Sequence, residues 1–406
     1  MASYAADAAC DEADGGGPNA KAGQKKQKEK DTELTVVPLF GADSDRGVGG
    51  GYIMSLAGVA PDVEPYLWRV ESAGSITFRS EEGGIAVPYV DDYLQLSLPH
   101  VIPRTLELSV RVSHTHERQL TFYGLGNAAA PSAGRTLSDP YFRYTWTHPR
   151  VEAAVGYRRG PLRISTGISY TQHFMGIPAD SQLRDDSQSA DANVRRLTRI
   201  AEEHGVAIFN YGVGWDERDN DVSPQRGWSH SVNLELAPGA TEDMPYRWLR
   251  GNLTLRQYVP LIGDRLVLAA RIVVDALGGN PPFYELARAG GATAIGGSKG
   301  VRGISALRYH GMFKTLASLE LRGRFLTLEF FGKKNRFGAV AFVDTGRLWA
   351  DYHRLSALDG DGLGLKFGLG AGLRIEAGKT FVLRADIATS PNDGGISGYL
   401  GPGHTF

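Results

Sequence analysis

Arg302 stands in the motif Val301-Arg302-Gly303-Ile304 inside a long Gly-rich connection, and Asp344 stands further along, in Phe342-Val343-Asp344-Thr345-Gly346, on an alternating apolar and polar run. A guanidinium is planar, always charged, and forks onto a carboxylate through paired charge-assisted hydrogen bonds. An arginine on a loop and an aspartate on a strand therefore suggest a tether between the two segments. In partly dry surroundings such a link should exceed the 0 to about 1 kcal/mol of an exposed pair. Gly303, next to the arginine, would permit a positive φ or a close backbone approach. Taken alone, the two motifs favour Arg302 as a solvated loop residue and Asp344 as a lumen-lining charge with no common purpose.

Other residues with chemical potential form no constellation. His230 lies between Ser229 and Ser231, but neighbours on a strand face opposite ways, so a Ser-His pair does not assemble there. Asp359-Gly360-Asp361-Gly362 begins like a calcium loop and lacks its closing acid, which favours a tight turn. Gly368-Leu369-Gly370-Ala371-Gly372 sits in a run of two-residue period with no helix after it, so it reads as glycines thinning a wall rather than as a dinucleotide loop. Cys/His metal spacing is absent, and Cys10, the single cysteine, cannot form an internal disulfide. Neither an enzyme nor a bound cofactor or metal is expected.

The elements that must position Arg302 and Asp344 are strands. Hydrophobic residues make up 42% of the chain and Gly 52 of its 406 residues, yet no stretch approaches the roughly eighteen consecutive apolar residues of a spanning helix. A helical membrane protein is excluded. The net charge of -1 offers no bulk attraction for polyanions, so nucleic acid is not an expected partner. Residues 1–35 are rich in Ala, Gly, Asp and Lys and have almost nothing to bury; they read as a disordered leader, without a signal-peptide pattern at Met1.

From 36 to 406 the chain alternates apolar and polar residues in segments separated by turn residues, the pattern of a membrane barrel. Phe313, Thr315, Ala317, Leu319, Leu321 and Phe325 share one face, opposite Lys314, Ser318, Glu320, Arg322 and Arg324. Phe381, Leu383, Ala385 and Ile387 likewise oppose Arg384 and Asp386. Short turns at Lys333-Lys334-Asn335 and Gly378-Lys379-Thr380 mark one rim. Candidate strands at 47–56, 68–79, 84–98, 104–114, 138–147, 150–158, 162–172, 205–216, 227–237, 247–258, 265–275, 312–330, 336–349, 362–376, 380–389 and 396–406 give about sixteen, an even number that suits closure. The expected fold is an all-β transmembrane antiparallel barrel. The long loop 276–311 carries Arg302, and residues 190–204 read as one amphipathic helix in another loop. The tryptophans, Trp68, Trp146, Trp215, Trp228, Trp248 and Trp349, fall near strand ends and suggest interface girdles.

At this level the chain resembles the BamA/TamA-type outer-membrane assembly proteins, the bacterial surface antigen superfamily. The resemblance rests on Val301-Arg302-Gly303-Ile304, where the family usually has an aromatic in place of Ile304, and on Phe342-Val343-Asp344-Thr345-Gly346. Phe122-Tyr123-Gly124-Leu125-Gly126-Asn127, and Asp216-Glu217-Arg218-Asp219-Asn220 followed by Pro224 and Gly227, echo it. It implies that the long loop folds into the lumen and that Arg302 meets acidic residues of strands twelve and thirteen, Glu320 and Asp344, near Gly303, Phe342 and Gly346. Gly401 through Phe406 resemble the C-terminal signal by which barrel precursors are recognised, with His404 in place of an apolar residue and Pro402 suited to an edge.

The family context further implies the bacterial outer membrane, contact with its lipids, and assistance to insertion or translocation of unfolded outer-membrane protein clients, with accessory periplasmic factors. A passive pore or structural barrel is the alternative. Family insertases carry periplasmic domains before the barrel, which the 35 residues of the leader cannot hold, so the expectation is either a missing upstream portion or a barrel-only branch whose clients are captured by something else.

Overall fold

In the computed structural model, residues 32–406 are described apart from 61–62, 82–83, 103–104, 132–133, 240, 291, 294, 331–332 and 378–380. Sixteen antiparallel strands close into a barrel. They are β1 (Thr32–Asp43), β2 (Gly47–Ala60), β3 (Val63–Glu81), β4 (Gly84–Ile102), β5 (Leu106–Thr121), β6 (Arg143–Thr147 and Arg150–Arg159), β7 (Leu162–Gly176) and β8 (Glu203–Asp216). They continue with β9 (Gly227–Ala237), β10 (Arg247–Ile262), β11 (Leu266–Asn280), β12 (Phe313–Phe330), β13 (Lys333–Trp349), β14 (Lys366–Ala377), β15 (Phe381–Thr389) and β16 (Ile396–Pro402).

The count agrees with the sequence pattern, but its membership differs. Segments 138–147 and 150–158 are not two strands. Both parts of β6 lie between β5 and β7, interrupted where Pro149 offers no N–H to a ladder. The strand left uncounted is β1, which begins at Thr32, inside the range read as leader; residues 1–31 lie outside the described residues. Lys333, Lys334 and Asn335 belong to β13, paired to Phe330, Glu329 and Leu328, and Gly378-Lys379-Thr380 lies outside the described residues. Residues 190–204 hold no single helix. Two short ones, α1 (Gln182–Ser187) and α2 (Ala192–Leu197), are capped by Ser181 and Asp191, and α2 buries Val194 and Leu197.

The alternation has the inverse sense of a water-soluble protein. Leu373 is 60% and Ile387 64% exposed, whereas their neighbours Arg374 and Asp386 are 3% and 2% exposed. At about 25 cal/mol per Å² of apolar surface, a belt of such side chains is costly in water and favourable in lipid. The buried ionic faces consequently look inward. Connections 122–142, 177–202, 281–312 and 350–365 share one rim, while 160–161 and 263–265 are turns on the other. Among the described residues no helix is long and apolar enough to cross a membrane.

Trp146 and Trp248 do not serve as girdle residues. Trp248 is buried in the main apolar cluster, and Trp146 packs on His148, His173 and Tyr284. Trp215 is exposed on the outer face.

Candidate functional site

Connection 281–312 returns into the barrel and presents Arg302 to the inward faces of β12, β13 and β15. Arg302 Nε donates to Asp344 Oδ2 at 2.7 Å and Nη2 to Oδ1 at 3.1 Å, the paired fork, while its backbone N–H donates to Oδ2 at 3.2 Å. Nη1 donates to Glu320 Oε1 at 2.7 Å, Asp386 Oδ2 at 3.3 Å and Thr405 Oγ1 at 3.0 Å. The guanidinium carbon sits 3.3 Å from the centroid of the Phe342 ring. Arg302, Asp344 and Glu320 are fully buried. Burial opposes the Arg302 charge, but the Asp344 hydrogen bonds and the field of the carboxylates raise its pKa above the ordinary value.

Glycines make room for this approach. Gly303 has φ +90° and lies against Thr389 and Ser390 so closely that a Cβ would stand 2.6 Å from the Thr389 carbonyl carbon. A Cβ at Gly368 would collide with the Arg302 carbonyl, and one at Gly346 with the side chain of Ile295. Val301, Ile304 and Ile295 fill an apolar cluster with Tyr309, Leu316 and Leu348, so Ile304 occupies buried space without being aromatic.

Two members of this clasp were not singled out by the sequence. Asp386 was legible as an inward residue of its run but had no visible link to Arg302. Thr405 had no signal at all, because it arrives only when the chain leaves the wall after Pro402. The C-terminal residues do not continue the last strand as the pattern suggested. Gly401 lies on β16 opposite Arg384, but β16 ends at Pro402, and Phe406 packs over the Arg322 and Arg271 guanidinium groups beside Tyr258, Val267 and Ala269. The physical reason is Gly403, at φ +78°, which turns the backbone inward.

A second clasp, also absent from the sequence reading, holds the beginning of the same connection. Arg250 of β10 is fully buried and contacts Glu285 Oε2 at 2.8 Å, Glu235 Oε2 at 2.9 Å and Asp275 Oδ1 at 3.6 Å. It also donates to the Glu285 carbonyl at 2.7 Å. Lys314 of β12 bridges Asp275 at 3.0 Å and donates to the Leu286 carbonyl at 3.2 Å. Burial works against the Glu285 charge, yet Arg288 and Arg250 hold its pKa below the usual carboxylate range. The available signal was a lone carboxylate inside Phe283-Tyr284-Glu285-Leu286-Ala287, a segment otherwise made for burial.

The connection also spans the outer end of the β1/β16 junction. Gly303 N–H donates to Tyr399 Oη of β16 at 3.2 Å, and Ser305 N–H and Arg308 Nε donate to Asp393, between β15 and β16, at 3.0 and 3.2 Å. Ala306 N–H donates to Asp45, between β1 and β2, at 3.0 Å. The junction itself is short. β1 pairs with β2 from Thr32–Gly58 to Asp43–Gly47, but with β16 among the described residues at Ala42–Leu400 and Asp43–Tyr399, extended by Ser44 N–H to the Gly398 carbonyl at 3.1 Å.

The remaining motifs have plain structural roles. Gly126 N–H donates to the His310 carbonyl at 2.8 Å and Phe122 packs edge-on to His310, so Phe122–Asn127 braces the exit of the long connection. Burial pushes the His310 imidazole down to about 3. In 217–226, Asn220 and Asp219 accept backbone N–H groups, and Ser223 reaches Glu376 at 2.9 Å. Asp359 accepts from Ala350 and Leu355 N–H groups, which accounts for its turn. Among the described residues no cluster of His, Cys, Asp and Glu is placed to hold a metal.

A closed antiparallel barrel with an outward apolar belt, a charge-clasped inward loop and a short first-to-last junction defines the class of membrane-spanning β-barrels. The Omp85 superfamily domain matches residues 94–406, and the chain belongs to that superfamily. BamA from Haemophilus ducreyi lacking POTRA domains 1-3 is similar in fold, with TM-score 0.60 and 14% identity over 91% of this chain and 70% of that one. CdiB from Escherichia coli gives TM-score 0.52 and 13% identity over 90% and 62%, and CdiB from Acinetobacter baumannii 0.51 and 14% over 92% and 60%. This chain therefore spans less than two thirds of either CdiB chain. No curated relative matches the sequence.

Proposed function

We propose that this barrel works in the bacterial outer membrane, where it assists insertion or translocation of client proteins at the β1/β16 junction without covalent chemistry. The observation that carries the reading is the short junction: β1 from Thr32 to Gly41 has no strand partner on the β16 side among the described residues. A backbone group left unpaired in hydrocarbon costs several kcal/mol, so this edge is a template for an incoming strand. The Arg302 clasp supports the reading by fixing the loop to β12, β13 and β15, so that the loop meets the β1/β16 junction at its outer end. Outer-membrane lipids surround the apolar belt, and unfolded outer-membrane proteins are the clients, with accessory periplasmic factors delivering them.

The test locks the junction. Ala42 and Leu400 are directly paired, within disulfide reach. In a Cys10→Ser background, A42C/L400C should insert a small barrel client into liposomes when reduced and fail when oxidised. Equal insertion in both states, or steady conductance in planar bilayers with no insertion by the wild type, would leave the passive pore as the better reading.

A further inference from the structure

In the two clasps inside the barrel the cations meet carboxylates. The outer surface of the 177–202 connection is different. A cavity of about 530 Å³ is lined by Arg184, Arg195, Arg196 and Arg199 with Tyr246 and Ile200, and no Asp or Glu lines it. Two of the arginines have carboxylate partners outside the lining, Arg184 with Glu202 at 2.5 Å and Arg196 with Asp351 at 2.6 Å. Arg195 donates to the Ser189 carbonyl at 2.6 Å, and Arg199 stands 6.0 Å from the centroid of the Tyr246 ring. Neither forms an ion pair among the described residues, and both are exposed.

Four guanidinium groups around one cavity repel one another, and an anion is what relieves that repulsion. Their planar donor forks match phosphate oxygens. The cavity reaches Asn280, the last residue of β11, and Tyr246, just before β10, so it opens at the rim where the wall meets the headgroup level. Ile200 and Pro281 add an apolar flank. We infer that this cavity is a binding site for phosphate-bearing ligands on the long-loop side of the membrane, taken from a phosphorylated glycolipid headgroup or a soluble phosphate ester. The site is independent of client handling at the junction.

The experiment uses the full chain, folded in detergent or in nanodiscs. Inorganic pyrophosphate should bind in a salt-dependent manner and protect Arg195 and Arg199 from phenylglyoxal, read by mass spectrometry. R195S/R199S, which touches exposed side chains and should retain heat-modifiable migration, should weaken binding by about a hundredfold, roughly tenfold for each charge-assisted contact. Nanodiscs carrying a bisphosphorylated glycolipid should protect the same arginines, and nanodiscs carrying its dephosphorylated counterpart should not. Protection by the glycolipid assigns the site to a headgroup; protection by pyrophosphate alone assigns it to soluble esters. Pyrophosphate binding equally tight in R195S/R199S, or no protection of the wild type by either phosphate probe, overturns the inference.

Discussion

Substituting alanine for Arg302 should be among the most damaging single changes in the barrel, and the hydrogen-bond pattern ranks the related substitutions. Removing the guanidinium leaves Asp344 buried with, among the described residues, the residue 302 backbone N–H as its remaining hydrogen bond, whereas Glu320 keeps Arg322 at 2.8 Å and Asp386 keeps Arg374 at 2.5 Å. Breaking a buried pair from one side costs about 3 to 5 kcal/mol. Asp344→Asn retains one acceptor but turns an amide against Nη2, which costs about 1.5 to 3 kcal/mol for the charge-assisted bond. Glu320→Gln and Asp386→Asn should cost less, about 1 kcal/mol each, because the second arginine survives. Arg302→Lys keeps the charge and loses the fork, so it falls between. The double variant R302A/D344A should be milder than the sum of its single changes, since no orphaned carboxylate remains. Urea unfolding of the detergent-folded chain, followed by heat-modifiable migration and by protease cleavage within 281–312, reads the series. An R302A barrel within about 1 kcal/mol of wild type, with an uncut loop, would reduce the clasp to an exposed pair and refute the argument.

Glu285→Gln should cost about 1.5 to 3 kcal/mol in the same urea assay, because Arg250 loses one charged partner and keeps Glu235; Glu285→Arg should abolish folded yield by placing a third cation beside Arg250 and Lys314, and a wild-type yield would discount the second clasp. Stability should also fall with rising pH through Asp45, whose pKa burial, followed by the Asp43 charge, raises from 3.8 to about 7, against the pull of the Ala306 N–H, Arg46 and Arg79. The folded chain holds this proton more tightly than the unfolded chain, so the contribution is full below about 3.8 and is lost as pH rises through about 7. Asp45→Asn should flatten that part of the profile, and parallel urea midpoints for wild type and variant between those pH values would contradict it.

The wall was legible because a two-residue period survives in single segments: the sides assigned to Glu320 and Asp386 follow directly from alternation. Strand membership was harder. β1 begins where the composition still resembles a polar leader, and Val37 and Leu39 blur the alternation that sets Leu34, Val36 and Phe40 on the outer face, whereas β2 keeps a readable face in Val48, Tyr52, Met54 and Leu56. Splitting β6 at Pro149 was a local error of the opposite sign, since the ladder on both sides resumes with the same neighbours. Arg302 was legible through its motif, and its partners on β12 and β13 through alternation. Asp386, Thr405 and the Arg250 clasp were not, because each depends on where a long connection or the chain end crosses the lumen, which no periodicity records.

The two clasps together specify the path of the connection more strongly than either alone, because their polarities differ. At the first, wall cations Arg250 and Lys314 take loop acceptors: the Glu285 carboxylate and the carbonyls of Glu285 and Leu286. At the second, wall carboxylates Asp344, Glu320 and Asp386 take loop donors, the Arg302 guanidinium and its backbone N–H. A connection threaded in the opposite sense would set Arg302 against Arg250 and Lys314, and Glu285 against three carboxylates. Juxtaposed like charges cost several kcal/mol in addition to the attractions forfeited. Buried ion pairs contribute little net stability once desolvation is counted, so their value here lies in excluding wrong paths. The connection that is held in one register is the same one that reaches Asp45 on one side of the β1/β16 junction and Asp393 on the other, so the clasps also fix the geometry at the outer end of that junction.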